Sequence, residues 1–433
     1  MSTPQQPPIL GLPDELLSEI LRHAVQLPNW DLAARSAFAT YDLKICRRLS
    51  RVCRRFYSNC LKFNYQTIRL GPRVDGWRKS PTTASVTYLH HILRTNPVIP
   101  GYCRNLSIYP GYPSDDSAEA LTYFANNLVP LLVNVNTLEV HGPLSAILGD
   151  RSWLVLRQAA QHMTKLAHLE LTGYINDLEI FPLVNQVEFG ALQTLRLSGA
   201  SDEHETLQRP EINKAACDQL FLIDFKAKAS HLNFLINWPS TLTTFVFDEF
   251  ERSERDNRQL ALPEILQMLR KHKETLKIIK ICCMGARVPI EDTLDTSDFM
   301  ALEELTVSRW HFGDPDPTFQ ATDVDLVAAP NLKRLMYDAR RDKYRHRYGR
   351  FKYDDETWIR QLIRGALDRN LFLPQFEIIC EQNIPATFID PVYPWDRIRR
   401  LQDEFQHLGV QVTCNPPIVT KWEWNAFHDV SDD

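Results

Sequence analysis

The sequence predicts an α/β chain in two parts: a short helical segment at the N-terminus, then a long succession of strand-and-return units. Three observations carry that expectation. An apolar stripe at helical spacing runs from Leu12 to Ala24. After residue 64 the helical period gives way to pairs of apolar residues two apart, recurring in order along the chain. The length, 433 residues with 44% hydrophobic content, exceeds what one hydrophobic core serves and calls for several domains or an array that grows by stacking.

The first nine residues form a short Pro-rich tail. Leu12, Leu16, Leu17, Ile20, Leu21 and Ala24 then fall on one stripe of a helix of about three turns. Pro13 suits its first turn, and the carboxylates of Asp14 and Glu15 face the positive end of the helix dipole. A second helical region is expected from about Asp31 to Phe63, with Ile45, Leu49, Val52, Cys53 and Phe56 at helical spacing. Its other face is basic, with Lys44, Arg47, Arg48, Arg51, Arg54, Arg55 and Lys62 set against Asp42. Cys46, Cys53 and Cys60 recur every seven residues, which places them on one helix face as small buried hydrophobes; a helical metal pair needs a spacing of three or four.

The second part is read from a unit of the form apolar-x-x-apolar-x-apolar. Its closing pair occurs at Leu106/Ile108, Leu138/Val140, Leu169/Leu171, Leu195/Leu197, Leu220/Leu222, Phe245/Phe247, Ile279/Ile281, Leu305/Val307 and Leu335/Tyr337. Leu166, Leu192, Leu242, Leu276, Leu302 and Leu332 stand three positions before their pairs, and the intervals run from 25 to 34 residues. Ile68/Leu70 is a weaker first member and Phe376/Ile378 a late one. A repeat of about 20–29 residues carrying this unit marks a leucine-rich solenoid, in which each unit supplies a short strand and a helical or irregular return. Helical patterns at 119–125, 152–160 and 262–270 fit the returns. An ordinary α/β domain also buries Leu-x-Leu strands, but the ordered succession favours the stacked array. The asparagine that usually follows each strand is missing, with Tyr174 and Ala200 in its place after two of the clearest strands, so the horseshoe is expected to bend unevenly.

In such an array alternating strand residues line the concave wall. That wall holds Glu139, His141, His168, Glu170, Thr172, Arg196, Phe221, Val246, Lys280, Thr306 and Met336, a mixed polar surface with an apolar patch at Phe221 and Val246. It offers area rather than an enclosed pocket, which suits protein recognition. The run from Arg340 to Lys352, with Arg345 and Arg347 among its cations and aromatics interleaved, suits phosphate or acidic protein; its plainer reading is a solvated loop ahead of a helix near Asp354–Leu367.

Composition narrows the function classes. Lys and Arg total 49 against 54 Asp and Glu, so no global charge points to nucleic acid. With only 15 Gly, phosphate-cradling loops are not expected. Neither G-x-G-x-x-G, the P-loop, G-x-S-x-G nor H-E-x-x-H occurs, so no catalytic residue, cofactor or metal is assigned and no enzyme activity is expected. No window approaches ~18 uninterrupted apolar residues, so no membrane span is expected. The opening residues have no basic n-region or apolar h-region, and nine cysteines then read as thiols in a reducing compartment, the cytosol or nucleus.

Leu12-Pro13-Asp14-Glu15-Leu16-Leu17 with Ile20-Leu21, followed by Leu49-x-x-Val52-Cys53-Arg54-Arg55-Phe56-Tyr57, resembles the F-box. The resemblance covers about residues 10–60, and the chain is similar overall to F-box proteins with a degenerate leucine-rich-repeat region, here residues 65–433. The two halves of the motif stand further apart than is usual in the family, with the extra length in residues 28–41. The resemblance implies a trihelical F-box whose Leu12, Pro13, Leu16, Leu17, Ile20, Leu21, Leu49, Val52, Cys53 and Phe56 meet a Skp-type adaptor. Through that adaptor come cullin and RING subunits and a ubiquitin-charged E2. Physical reasoning agrees: some fifty residues of amphipathic helix cannot bury all their apolar side chains unaided. For Leu12, Pro13 and Leu16 adaptor contact is the better fit; Val52 and Phe56 fit internal packing equally well. The implied function is the substrate receptor of an SCF-type ubiquitin ligase, its target held on Glu139, Glu170, Arg196, Phe221, Val246, Lys280, Met336, Arg345 and Arg347. The alternative is a protein-interaction scaffold outside any ligase.

Overall fold

A computed structural model of the chain describes residues 8–25, 43–71, 73–74, 77–78, 81–109, 115–142, 150–173, 189–200, 215–225, 228–249, 262–282, 295–312, 317–339, 351–380, 392–417 and 420–429. It divides into two units, Met1–Leu192 and Gln193–Asp433.

The first unit opens with α1, Asp14–Val25, which carries Asp14 and Glu15 in its first turn and Arg22 and His23 in its last, both in the sense the helix dipole favours. α2, Leu43–Leu49, and α3, Arg54–Gln66, follow. The expected single helical region is therefore two helices. The chain turns between them because Val52 N–H donates to the Leu49 carbonyl and Arg51 N–H to that of Arg48, while Ser50 Oγ donates to the Arg47 carbonyl. Cys46, Cys53 and Cys60 thus lie on α2, in the turn and on α3 rather than on one helix. The three helices enclose one interior of Leu17, Leu21, Val25, Cys46, Phe56, Cys60 and Phe63, with Leu49 and Cys53 partly buried against it.

Strands then alternate with helices: β1 Thr67–Leu70, α4 Thr83–Thr95, β2 Asn105–Ile108, α5 Asp115–Asn127, β3 Thr137–His141, α6 Asp150–His162 and β4 His168–Thr172. These four strands pair in parallel in that order, in a register that aligns Ile68, Leu106, Leu138 and Leu169, while a separate short pair after β1, Arg73–Val74 with Trp77–Arg78, is antiparallel. Parallel neighbours need a long crossover, and the intervals of the sequence repeat supply it.

The second unit has the same alternation of strands and helices. β5 Thr194–Ser198, β6 Gln219–Phe225, α7 Ala229–Asn237, β7 Thr244–Glu249, α8 Leu262–Leu269, β8 Ile278–Cys282, β9 Glu304–Ser308, β10 Arg334–Asp338, α9 Tyr353–Asp368, β11 Gln375–Ile379, α10 Pro394–Gln406, β12 Gln411–Cys414 and α11 Lys421–Asp429 follow in order. Here too every strand from β5 to β12 is parallel to its successor, and Leu195, Leu220, Phe245, Ile279, Leu305, Leu335, Phe376 and Val412 stand in one buried row. The architecture is α/β with parallel strands and crossover helices.

The leading apolar residues share one role. Leu166, Leu192, Leu242, Leu276, Leu302 and Leu332 are all buried just ahead of their strands. Beside them the backbone repeats a turn: the carbonyls of Asp218, Thr243, Lys277 and Glu303 each accept two successive amides from the start of the following strand. Every pair in the sequence repeat is a strand, including the weak Ile68/Leu70 and late Phe376/Ile378. β12 was not expected, and the helical patterns at 119–125, 152–160 and 262–270 fall on α5, α6 and α8. The extra length at 28–41, Tyr174 and residues 340–350, with Arg345 and Arg347, lie outside the described residues.

Candidate functional site

The N-terminal helices bury one apolar stripe and present another. On α1 the inward residues are Leu17, Leu21 and Val25, spaced by four; Leu16 and Ile20, one position ahead of the first two, remain 54% and 45% exposed. The stripe expected from Leu12 to Ala24 is therefore two stripes on adjoining faces, because side chains one apart on a helix diverge by about 100°. Leu12 is half-buried just before α1 and Pro13 is exposed. Ile45 on α2, Val52 in the turn (62% exposed) and Tyr57 on α3 are also open. Covering a half-exposed side chain of this size is worth about 1 kcal/mol, so the set offers several kcal/mol to a partner.

This placement sorts the ten expected contact residues. Leu12, Pro13, Leu16, Ile20 and Val52 keep exposed surface, and Leu49 and Cys53 sit half-buried at its margin. Leu17, Leu21 and Phe56 are interior instead, their side chains used in joining the three helices, which leaves them little surface for direct contact. Ile45 and Tyr57, outside the ten, are exposed as well, and the apolar spacing of Ile45 against α2's basic residues was a usable signal.

Cations ring this ground. Lys44, Arg47, Arg48, Arg51, Arg54 and Lys62 are exposed. The nearby acids are largely engaged: Asp14 accepts from Arg55 Nε at 2.6 Å, and Glu19 accepts from Arg22 at 2.6 Å with His23 at 3.1 Å. Arg55 also donates to the Leu12 carbonyl, which ties the start of α1 to α3. The Arg55 hydrogen bond holds the Asp14 carboxyl below its ordinary range.

The outward-facing strand residues form the second candidate surface. In the second unit Arg196, Phe221, Val246, Lys280, Thr306, Met336 and Glu377 share one register row. The five expected target residues in that row are half-buried, and the Arg196 guanidinium lies 5.9 Å from the Phe221 ring centroid. One position of the wall is corrected here: Thr306 is 2% exposed. A charge fork that was missed links this row to another, with Arg334 meeting Glu304 across the strands at 2.5 Å and Glu377 of this row at 3.3 Å. In the first unit Glu170 is half-buried, whereas Glu139 is only 5% exposed and corrects the expectation of a solvent-facing carboxylate.

The chemistry available elsewhere is limited. Among the described residues no group of three or more His, Cys, Asp or Glu side chains is arranged to hold a metal ion. Burial pushes the thiols of Cys103, Cys217 and Cys380 up to about 12, which keeps them protonated and poorly nucleophilic. No described helix is long and apolar enough to cross a membrane. No protein-family model matches the chain, and no curated protein matches it.

Proposed function

We propose that this chain is a non-catalytic substrate receptor of an SCF-type cullin-RING ubiquitin ligase, acting in the cytosol or nucleus. The observation that carries the reading is the exposure of Leu16, Ile20, Ile45, Val52 and Tyr57 on helices whose own interior is already filled. Those five residues belong to the segment whose pattern resembles the F-box. On this reading α1 to α3 are the trihelical F-box, Leu16, Ile20 and Val52 are its anchors into a Skp-type adaptor, and the basic residues around them steer an acidic partner into place. The remaining strands and helices act as an irregular leucine-rich solenoid. The ordered parallel succession with its repeated leading leucine supports that, and its concave wall then holds the target protein.

The mechanism is proximity. The receptor fixes a target lysine near a ubiquitin-charged E2 held by the adaptor, cullin and RING subunits, which raises its effective concentration without chemistry of its own. Co-purification with adaptor and cullin, followed by a ubiquitylation assay on co-isolated proteins, tests the reading. Capture of cullin with ubiquitin transfer to a co-isolated protein supports it. Capture without any transfer assigns the alternative, an interaction scaffold, and failure to capture the adaptor overturns both.

A further inference from the structure

Ser50 ends the last turn of α2, where the chain swings toward α3. Its N–H still donates to the Cys46 carbonyl, so Arg47 is a neighbour on the same side of that turn. The side chain is half-buried, and its hydroxyl donates to the Arg47 carbonyl at 2.9 Å in an exposed hydrogen bond. Around it the sequence reads Arg47-Arg48-Leu49-Ser50-Arg51-Val52-Cys53-Arg54. All four arginines are exposed, and among the described residues no carboxylate pairs with any of them. Leu49 and Val52, on either side of the serine, belong to the surface proposed to meet the adaptor. α2 spans only seven residues, too short to persist as a helix without its packing, so its last turn can straighten into an enzyme's groove.

We infer that Ser50 is the acceptor of an arginine-directed protein kinase and that the phosphate closes the adaptor-docking face. The inference rests on the receptor reading and adds its regulation. Guanidinium groups two and three positions before a hydroxyl suit a kinase whose substrate groove carries carboxylates, through paired charge-assisted hydrogen bonds. In the transfer the Ser50 oxygen bonds to the γ-phosphorus of ATP as the bond from that phosphorus to the bridging β-phosphate oxygen breaks. ADP leaves, and the hydroxyl proton passes to the kinase's catalytic carboxylate. The product carries a charge of about −1.5 to −2 at neutral pH. It has lost the proton that bonded the Arg47 carbonyl, and it attracts the four arginines that would otherwise face an acidic partner. It also sets a charge between Leu49 and Val52, where docking needs apolar surface.

The test exposes the purified full chain to ATP and the catalytic subunit of cyclic-AMP-dependent protein kinase, with the phosphate located by peptide mass spectrometry. Wild type is expected to take up phosphate at Ser50, and the Arg47→Ala, Arg48→Ala double variant to do so about tenfold more slowly or less. Calorimetry with adaptor is expected to show binding weakened about tenfold or more after treatment of the wild type, and unchanged after the same treatment of Ser50→Ala. Phosphate that enters a peptide of residues 44–55 but not the folded chain overturns the inference. So does phosphate at Ser50 that leaves adaptor binding as it was, or equal weakening in treated Ser50→Ala. Should Ser50→Ala fail to fold, phosphatase treatment of the phosphorylated wild type is the control, and it is expected to restore binding. An untreated wild type that binds no adaptor overturns the receptor reading, and the docking-face half of the inference with it; phosphate mapping then decides the acceptor site alone.

Discussion

Leu16 and Leu17 are chain neighbours on α1 with opposite fates: Leu17 is 0% exposed inside the three-helix interior, and Leu16 is 54% exposed outside it. One leucine holds the helices together, and the other is the one proposed to meet a partner. Substitution separates the two roles. Leu17→Ala is expected to cost about 2–5 kcal/mol of stability, the range for a large-to-small change in a packed interior. Leu16→Asp is expected to change stability by no more than about 0.5 kcal/mol, as surface substitutions do, while abolishing adaptor binding. Denaturant midpoints and adaptor pull-down on both variants check this.

The parallel strands were legible in the sequence because Leu-x-Leu with a leading leucine is a demand of geometry: each strand buries alternate residues, and the residue three positions earlier fills the turn. β12 escaped because Val412 is its one fully apolar strand-centre residue, flanked by Gln411 and Thr413. The break between α2 and α3 escaped because a seven-residue cysteine spacing equals two helical turns and looks the same whether or not the helix is continuous. The exposed apolar face of α1 was legible in residue type but not in orientation, since Leu16 and Leu17 both read as apolar and only packing tells them apart. The wall was legible by alternation, and the burial of Glu139 and Thr306 was not, because it depends on what neighbouring strands place beside them.

Gly365 sits inside α9, where replacement of glycine by alanine ordinarily gains up to about 1 kcal/mol. Here the sign reverses. A Cβ at this position would lie 2.7 Å from Cγ2 of Val324, a buried, β-branched side chain with little freedom to move. Overpacking of this kind costs about 1–3 kcal/mol, so Gly365→Ala is expected to lower the unfolding midpoint. A rise in the midpoint would show that Val324 gives way.

Glu356 on α9 is buried and receives Arg360 at 2.9 Å, Arg397 at 3.2 Å and Arg400 at 2.8 Å, the last two from α10. Burial pushes its carboxyl up, but the hydrogen bonds from Arg400, Arg360 and Arg397 together outweigh burial and hold it below the ordinary glutamate range. With the folded value below the unfolded one, the ion cluster's contribution is complete above the unfolded value, about 4.3, and is lost as pH falls through the folded value. Glu356→Gln is expected to cost about 1–3 kcal/mol at neutral pH, because the charge-assisted hydrogen bonds from Arg360, Arg397 and Arg400 to a buried carboxylate are weakened. The difference from wild type shrinks in acid, which urea titrations at neutral and acid pH measure directly.

In the proposed docking, the basic residues of α2 and the turn after it are expected to set the rate more than the strength. Arg47, Arg48 and Arg51 are exposed, so their field is screened beyond about 10 Å at 0.1 M salt. Reversing all three to glutamate is expected to slow association about tenfold or more at low salt while changing dissociation little. Stopped-flow association with adaptor across a salt series reads both rates; an association rate insensitive to salt would remove steering from the account.

The most direct measurement is a titration of purified Skp-type adaptor into the full chain by calorimetry, with wild type beside the Leu16→Asp, Val52→Asp double variant. The account predicts a one-to-one complex with the wild type and no detectable heat of binding with a variant that unfolds at the wild-type midpoint. A wild type that does not bind, or a variant that binds as well as the wild type, contradicts it.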